Sequence, residues 1–422
     1  MKQKKERIEE IVNLYEQKNF LQLNNVCKNF VEDFPDNPLG WNLYALSFKY
    51  TGNIEMAMKI YEKLISENPQ TPTLMTNLAN IYSDIGRQID AEKLYKQAIK
   101  LDSKSINARN GLGMVYQILG KLEESIKCFR AILDFDKNNN YANFNLAESY
   151  RKIGKYDEAI ACYSKTENPL SKSHMLECVY RVKDKKTFSN QLKLLNNDDE
   201  LLTPLMSCII SHASIRYDEC FVNPFCRDPF DYIKVNDITK NNYYDTNVIN
   251  EIINIQKTES IDDKPQPLLN GGKQTSGNLF KIKNDNIKKV EMLIMEEIES
   301  YKESFKNSGQ GFILNWPNNY ELLGWIVDIK KGGNLKPHMH KQGWLSGSMY
   351  LKVEKDEADG GDLLFTLDGA GYPNNGKKFE TKEINVKENK MILFPSSLFH
   401  FTTPFEGKEN RVTLAFDINP IN

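Results

Sequence analysis

The sequence predicts an all-α solenoid of short repeats, followed by an all-β jelly roll with helices packed on one side. Three observations predict it. Small, aromatic and glycine residues recur every 34 positions from Ala45 to Tyr163, and that recurrence then stops. After residue 319, short apolar runs are separated by Gly, Asn, Asp and Lys turns with no helical run between them. At 422 residues the chain exceeds one ordinary core, so two domains, or three, are expected.

The N-terminal stretch "MKQKKERIEEIVNLYEQKNF" is basic and then turns amphipathic and acidic, without the unbroken apolar segment of a signal peptide. No window approaches the roughly 18 apolar residues of a membrane span. Lys+Arg 55 against Asp+Glu 57 gives a net charge of -2, which argues against nucleic acid or an anionic membrane as the main partner. The cysteines at 27, 128, 162, 178, 208, 220 and 226 are odd in number and show no C-x-x-C spacing. They read as reduced core residues of a cytoplasmic protein.

Within the repeats, Ala45, Ala79, Gly113 and Ala147 share one phase. Phe48, Tyr82, Tyr116 and Tyr150 share a second, and Gly52, Gly86, Gly120 and Gly154 a third. Ala57, Ala91, Ser125 and Ala159 and then Tyr61, Tyr95, Phe129 and Tyr163 complete the set. Small residues let paired helices approach, aromatics fill the adjoining space, and each glycine ends a first helix. This pattern resembles the tetratricopeptide repeat. The resemblance implies about five repeats over residues 1–169, the first degenerate, with a concave face that holds an extended peptide or another protein. Asn77, Asn110 and Asn145 on the first helices are either partners for a ligand backbone or ordinary solvated positions.

Residues 170–215 are helical in pattern but out of phase, and read as trailing helices. "VNPFCRDPFDYI" and "DDKPQPLLNGGKQTSGN" (262–278) read as loops. A helix is predicted from Asp285 as N-cap, with Ile287, Val290, Ile294, Ile298, Tyr301 and Phe305 as a stripe packing on a sheet. The strands predicted after it are "YELLGWIVDIK", "WLSGSMYLKV", "GDLLFTL", "KEINV", "KMILFP" and "RVTLAFDI".

Chemistry concentrates in "KPHMHKQGWLSGSMYL" (336–351). If residues 338–340 are extended, His338 and His340 point to one face, as chelation of a single ion requires. His400 follows another strand-like run, so three of the chain's five histidines stand within the last 85 residues. Arg411 and Thr413 lie two apart on an otherwise apolar strand, and an inward arginine needs an anion from the protein or from a ligand.

At these residues the chain resembles the Fe(II)- and 2-oxoglutarate-dependent dioxygenases, in particular a bacterial oxygenase family often fused to tetratricopeptide repeats. The stretches that carry the resemblance are "GWIVDIKKGGNLKPHMH", "WLSGSMYLKV", "GGDLLF", "ILFPSSLFH" and "RVTLAFDIN". They cover residues 315–422 closely and 230–314 loosely. The resemblance implies an oxygenase domain at 216–422 with a double-stranded β-helix core at about 315–422. Its cofactor would be Fe(II), with 2-oxoglutarate and dioxygen as cosubstrates. His338 would be the first metal ligand and His400 the distal one, while Arg411 with Thr413 beside it would bind the far carboxylate of 2-oxoglutarate. Tyr350 stands where prolyl hydroxylases of the superfamily turn a tyrosine toward that cosubstrate, or is a packed strand aromatic.

The departure is at the second ligand, where the superfamily acid is replaced by His340. Three outcomes stay open: His340 ligates, which is favoured; His340 points away, leaving two histidines and water; or Asp362 or Asp328 swings in. Trp344 either lines the substrate mouth or packs internally. The function implied is a hydroxylase acting on a protein or peptide recruited by the repeats. Alternatives are an inactive scaffold whose β domain binds a metal or carboxylate structurally, and an oxygenase acting on a small molecule or glycan. Oligomeric state is not legible.

Overall fold

The computed structural model describes residues 2–195, 202–258, 263–264, 266–356 and 359–421. Its contacts divide the chain into Met1–Ser171 and Lys172–Asn422.

The first unit is a succession of helices: α1 (Lys2–Glu16), α2 (Phe20–Asp33), α3 (Pro38–Tyr50), α4 (Ile54–Glu67), α5 (Pro72–Asp84), α6 (Gln88–Leu101), α7 (Ile106–Ile118), α8 (Leu122–Leu133), α9 (Asn140–Lys152) and α10 (Tyr156–Tyr163). Several begin on side-chain caps. Asn37, Asn53, Ser105 and Asn139 each accept from the backbone N–H three residues on, satisfying one of the donors a helix start leaves open. The repeat glycines close α3, α5, α7 and α9 at φ between +72° and +88°, the left-handed stop that L side chains resist.

The small positions are spatial requirements. A Cβ on Gly113 would lie 2.5 Å from Cζ of the fully buried Phe129 ring. Ser125, which replaces the alanine of the other repeats, is buried and satisfied by donating its hydroxyl to the Gly113 carbonyl at 2.9 Å. Asn77 donates to Asn42 Oδ1 at 2.7 Å and Asn145 to the Tyr141 carbonyl at 3.0 Å, so both serve the array's own structure. The Oδ1 of Asn110 is buried and accepts no hydrogen bond from the protein.

The second unit opens with α11 (Pro169–Val182), most of whose length lies in it, α12 (Lys185–Leu195) and α13 (Pro204–Tyr217). Then come β1 (Lys234–Asp237), α14 (Thr246–Thr258), β2 (Asp263–Lys264), β3 (Leu269–Thr275), α15 (Asp285–Phe305) and α16 (Gly311–Leu314). The strands β4 (Tyr320–Leu335), β5 (Leu345–Lys352), β6 (Leu363–Thr366), β7 (Thr381–Ile384), β8 (Lys390–Pro395), β9 (Phe399–Thr402) and β10 (Arg411–Pro420) complete it. They form two antiparallel sheets, a seven-stranded one in the order β1-β8-β5-β10-β4-β3-β2 and a three-stranded one in the order β7-β6-β9.

Strand alternation gives the large sheet two different faces. Met349, Met391, Leu393, Leu414, Phe416 and Ile418 pack against Ile287, Val290, Ile294 and Ile298 of α15. Tyr350, Ile392 and Phe394 point the other way and share a core with Leu363 and Phe365 of the small sheet. Two antiparallel sheets with helices backing one of them are compatible with the expected jelly roll.

The structure corrects several local expectations. The segment 262–278, read as a loop, contains β3, which pairs with β4. Its glycines allow the pairing, since a Cβ on Gly272 would sit 2.6 Å from the Asp328 carbonyl oxygen. The cap of α15 is Asn284, whose side chain accepts from the N–H groups of Asn286 and Ile287, and Asp285 is the first helical residue. His338 and His340 lie in the β4–β5 connector and not on a strand. Trp344 is buried, donates Nε1–H to the Phe312 carbonyl at 2.8 Å and packs on Phe225, which makes it a core residue rather than part of a mouth. The seven cysteines are free thiols. Among the described residues no helix is long and apolar enough to cross a membrane.

Candidate metal centre

β10 decides which groups face the cavity between the sheets. Val412, Leu414, Phe416 and Ile418 fill the helix-backed core, which turns Arg411, Thr413, Ala415 and Asp417 to the opposite face. The cavity has a volume of about 180 Å³, several times the roughly 30 Å³ share of one liquid water. His338, His340, His400, Arg411, Thr413 and Tyr350 all line it.

The three imidazoles converge from two directions. His400 lies within β9, paired with Phe365. The connector holding His338 is drawn against it by an isolated antiparallel bridge, with His338 N–H donating to the His400 carbonyl at 3.1 Å and His400 N–H to the His338 carbonyl at 2.8 Å. Ring centroids stand 4.2 Å (338–400), 5.0 Å (340–400) and 5.1 Å (338–340) apart. One nitrogen from each ring can be chosen so that all lie within 4.8 Å of one another.

Each ring is oriented through Nδ1. That atom faces the Lys336 carbonyl at 2.9 Å in His338, the Leu398 carbonyl at 3.3 Å in His400, and Asp417 Oδ1 at 2.6 Å in His340. Carbonyl and carboxylate oxygens only accept, so each Nδ1 carries a proton, and in the neutral form of each ring Nε2 keeps its lone pair. Burial pushes the His338 pKa down to about 4, with the neighbouring His340 adding to the effect. Burial likewise drives His400 well below its ordinary value. At His340 burial acts downward too, but the Asp417 charge and hydrogen bond outweigh it and raise the pKa.

Neither Asp362 nor Asp328, the two alternative acid ligands, joins this group. Asp362 Oδ1 accepts from Lys355 Nζ at 2.5 Å and from the Val386 N–H at 3.0 Å. Asp328, on β4, pairs with Val412 of β10 and Lys273 of β3, outside the histidine cluster.

At the other end of the constellation Arg411 is 3% exposed. Its Nη1 donates to the Gly361 carbonyl, and its Cζ lies 5.9 Å from the centroid of the Tyr350 ring. Its Nε and the Thr413 hydroxyl are buried without a hydrogen-bond partner in the protein. A buried guanidinium with an orphaned donor beside an orphaned hydroxyl is a seat for a carboxylate. Three Nε2 lone pairs suit a borderline divalent cation such as iron, zinc or nickel. The residues present therefore fit both a metal and an oxo-acid.

Asp417 was not anticipated from sequence. It is 6% exposed and is held by His340 and by the Ser346 hydroxyl, which donates to the same Oδ1 at 2.7 Å. Strict alternation in "RVTLAFDI" carried the signal, because a residue six beyond Arg411 shares its face. Gln266 and Gln274 also line the cavity, from the segment read as a loop.

Comparison with known proteins gives a consistent picture. Residues 324–417 match the model of the family described as "Putative 2OG-Fe(II) oxygenase". Residues 73–101 match one tetratricopeptide repeat model, and residues 40–71, 106–139 and 141–165 match another. No curated protein matches the chain. Among solved structures, pilF of Pseudomonas aeruginosa is 16% identical, covering 47% of this chain and 94% of its own, with a TM-score of 0.41. A tetratricopeptide repeat protein from Parabacteroides merdae is also 16% identical, covering 52% of this chain and 88% of its own, with a TM-score of 0.40.

Proposed function

Starting from a chain that carries tetratricopeptide repeats and a segment of this oxygenase family, we propose that it is an Fe(II)- and 2-oxoglutarate-dependent dioxygenase hydroxylating a protein or peptide recruited by the repeats. The observation that carries the reading is the joint presence, in one cavity, of three convergent imidazoles and a buried arginine with an unused donor. A structural metal site would need the first but not the second.

In this reading His338, His340 and His400 hold the iron through Nε2. Arg411, with the Thr413 hydroxyl, receives the far carboxylate of 2-oxoglutarate, and Tyr350 walls that end of the cavity. The bound iron supplies dioxygen activation coupled to oxidative decarboxylation of 2-oxoglutarate. The protein's share is to hold these groups at fixed spacing in a partly enclosed cavity between the sheets, where charge interactions are stronger than in water. Low pKa values at His338 and His400 keep both imidazoles neutral, as ligation requires. Tetratricopeptide repeats generally mediate protein–protein interaction, which favours a macromolecular substrate over a small metabolite. A cytoplasmic location accords with seven free thiols.

The test is anaerobic loading of the full chain with Fe(II), followed by exposure to air with 2-oxoglutarate. Succinate should form, even if slowly without the true substrate, and His338→Ala and His400→Ala should abolish it. Equal succinate from parent and both variants would sink the assignment.

A further inference from the structure

The three histidines are not held alike. His338 and His400 each give Nδ1–H to a backbone carbonyl two residues earlier in their own chain segment, Lys336 and Leu398. His340 alone gives it to a carboxylate, 77 residues away at Asp417, and at the shortest distance of the three, 2.6 Å. That carboxylate is buried. Among the described residues its hydrogen-bond partners are His340 and Ser346, and no lysine or arginine pairs with it. A buried carboxylate whose one basic neighbour is an imidazole is stabilised by positive charge on that ring or on a cation the ring binds. Among the described residues the group of ring nitrogens placed to hold such a cation is the cluster His340 belongs to.

We propose that Asp417 is a positioning residue that supplies, through His340, the negative charge that three neutral imidazoles lack, so that the pair acts toward a divalent cation as a single anionic ligand. The proposal rests on the metal reading given above. A proton shared along a 2.6 Å N–H···O bond leaves the far nitrogen of the ring more electron-rich, which strengthens its bond to a metal. Ser346 tempers the effect by donating to the same oxygen, Oδ1, at 2.7 Å, and Ser346 is itself 2.7 Å from the Ser396 hydroxyl.

The test measures Co(II) affinity of the full chain by competition with a chromophoric chelator, together with the visible absorption of the Co(II) form. Asp417→Asn keeps an oxygen that accepts from His340 and removes only the charge. Its affinity should fall about 10- to 100-fold, with shifted Co(II) bands. Ser346→Ala withdraws a hydroxyl from Oδ1 and leaves the carboxylate more basic, so it should bind at least as tightly as the parent. A purely structural clamp predicts weaker binding in both. Affinity of Asp417→Asn within twofold of the parent, or a tenfold loss in Ser346→Ala, overturns the proposal. The second variant decides the matter if the first does not fold. A parent chain that binds no Co(II) would instead overturn the metal reading itself.

Discussion

Glu177 of α11 and Lys341 of the β4–β5 connector meet at 3.0 Å, one residue beyond His340. Glu177 is almost completely buried and also accepts from Arg181 at 3.2 Å and from the Tyr372 hydroxyl at 3.1 Å. Glu177→Gln removes the charge from this junction and leaves two cations facing an amide. The expected cost is about 1–3 kcal/mol, moderated because Lys341 keeps about a third of its side chain in solvent. Thermal unfolding should report a melting temperature lower by roughly 3–8 °C. No shift would mean that α11 does not brace the connector.

If Arg411 receives the far carboxylate of 2-oxoglutarate as proposed, Arg411→Met should weaken cosubstrate binding while sparing the imidazoles. Two charge-assisted hydrogen bonds at about 1.5–3 kcal/mol each correspond to a loss of roughly 100-fold or more in 2-oxoglutarate affinity. Arg411→Lys should also weaken binding, because an ammonium cannot reproduce the planar fork. Calorimetric titration with 2-oxoglutarate in the presence of Co(II) checks both, and undiminished affinity in Arg411→Met refutes the role.

His212 is wholly buried, with Nδ1 2.5 Å from the Tyr180 hydroxyl. Burial lowers its pKa to about 4, against the opposing pull of Asp368. Because the folded value lies below the unfolded one near 6.5, the unfolded chain binds more protons between them. Stability is therefore complete above about pH 6.5 and declines as pH falls toward about 4. At pH 5 the His212 share of that loss is about 2 kcal/mol. Urea denaturation at pH 7.5 and 5 should show a smaller drop for His212→Gln than for the parent, and identical drops would contradict the assignment.

Gly113→Ala tests the repeat packing. In an open helix the change gains about 1 kcal/mol from propensity. Here the added methyl falls 2.5 Å from a ring with no room to retreat, and overpacking of this kind costs about 1–3 kcal/mol. The net effect should be destabilising, and Phe129→Leu should partly relieve it in a double-mutant cycle. A more stable Gly113→Ala protein would show that the Phe129 ring yields freely.

The repeat array was readable because its contacts are local and recur: Gly113 and Phe129 stand 34 residues after Ala79 and Tyr95, which share one buried cluster. The convergence of His338, His340 and His400 was readable as residue types at strand-like positions, but its cause was not. The histidine-bearing connector is irregular, and what aligns it is a backbone bridge spanning 62 residues of sequence, which no period reveals. β3 escaped notice because its Gly-Gly pair signals a turn, whereas here it permits close strand approach. Asp417 ends the same period-two face as Arg411 and Thr413, but its partner His340 lies 77 residues away, so its role is not legible from the strand alone. Lys341 acquires its partner from a helix that looked like a mere trailer to the repeats.

The reciprocal backbone bonds between His338 and His400 have a kinetic corollary. Two of the three rings are fixed relative to each other by the same pairing that staples the connector to the small sheet, before any ion arrives. If the cluster binds a metal as proposed, loading should need no chain closure, and its speed should follow how fast the incoming cation sheds its hydration shell. Slowly exchanging ions should enter sluggishly and labile ones almost at encounter.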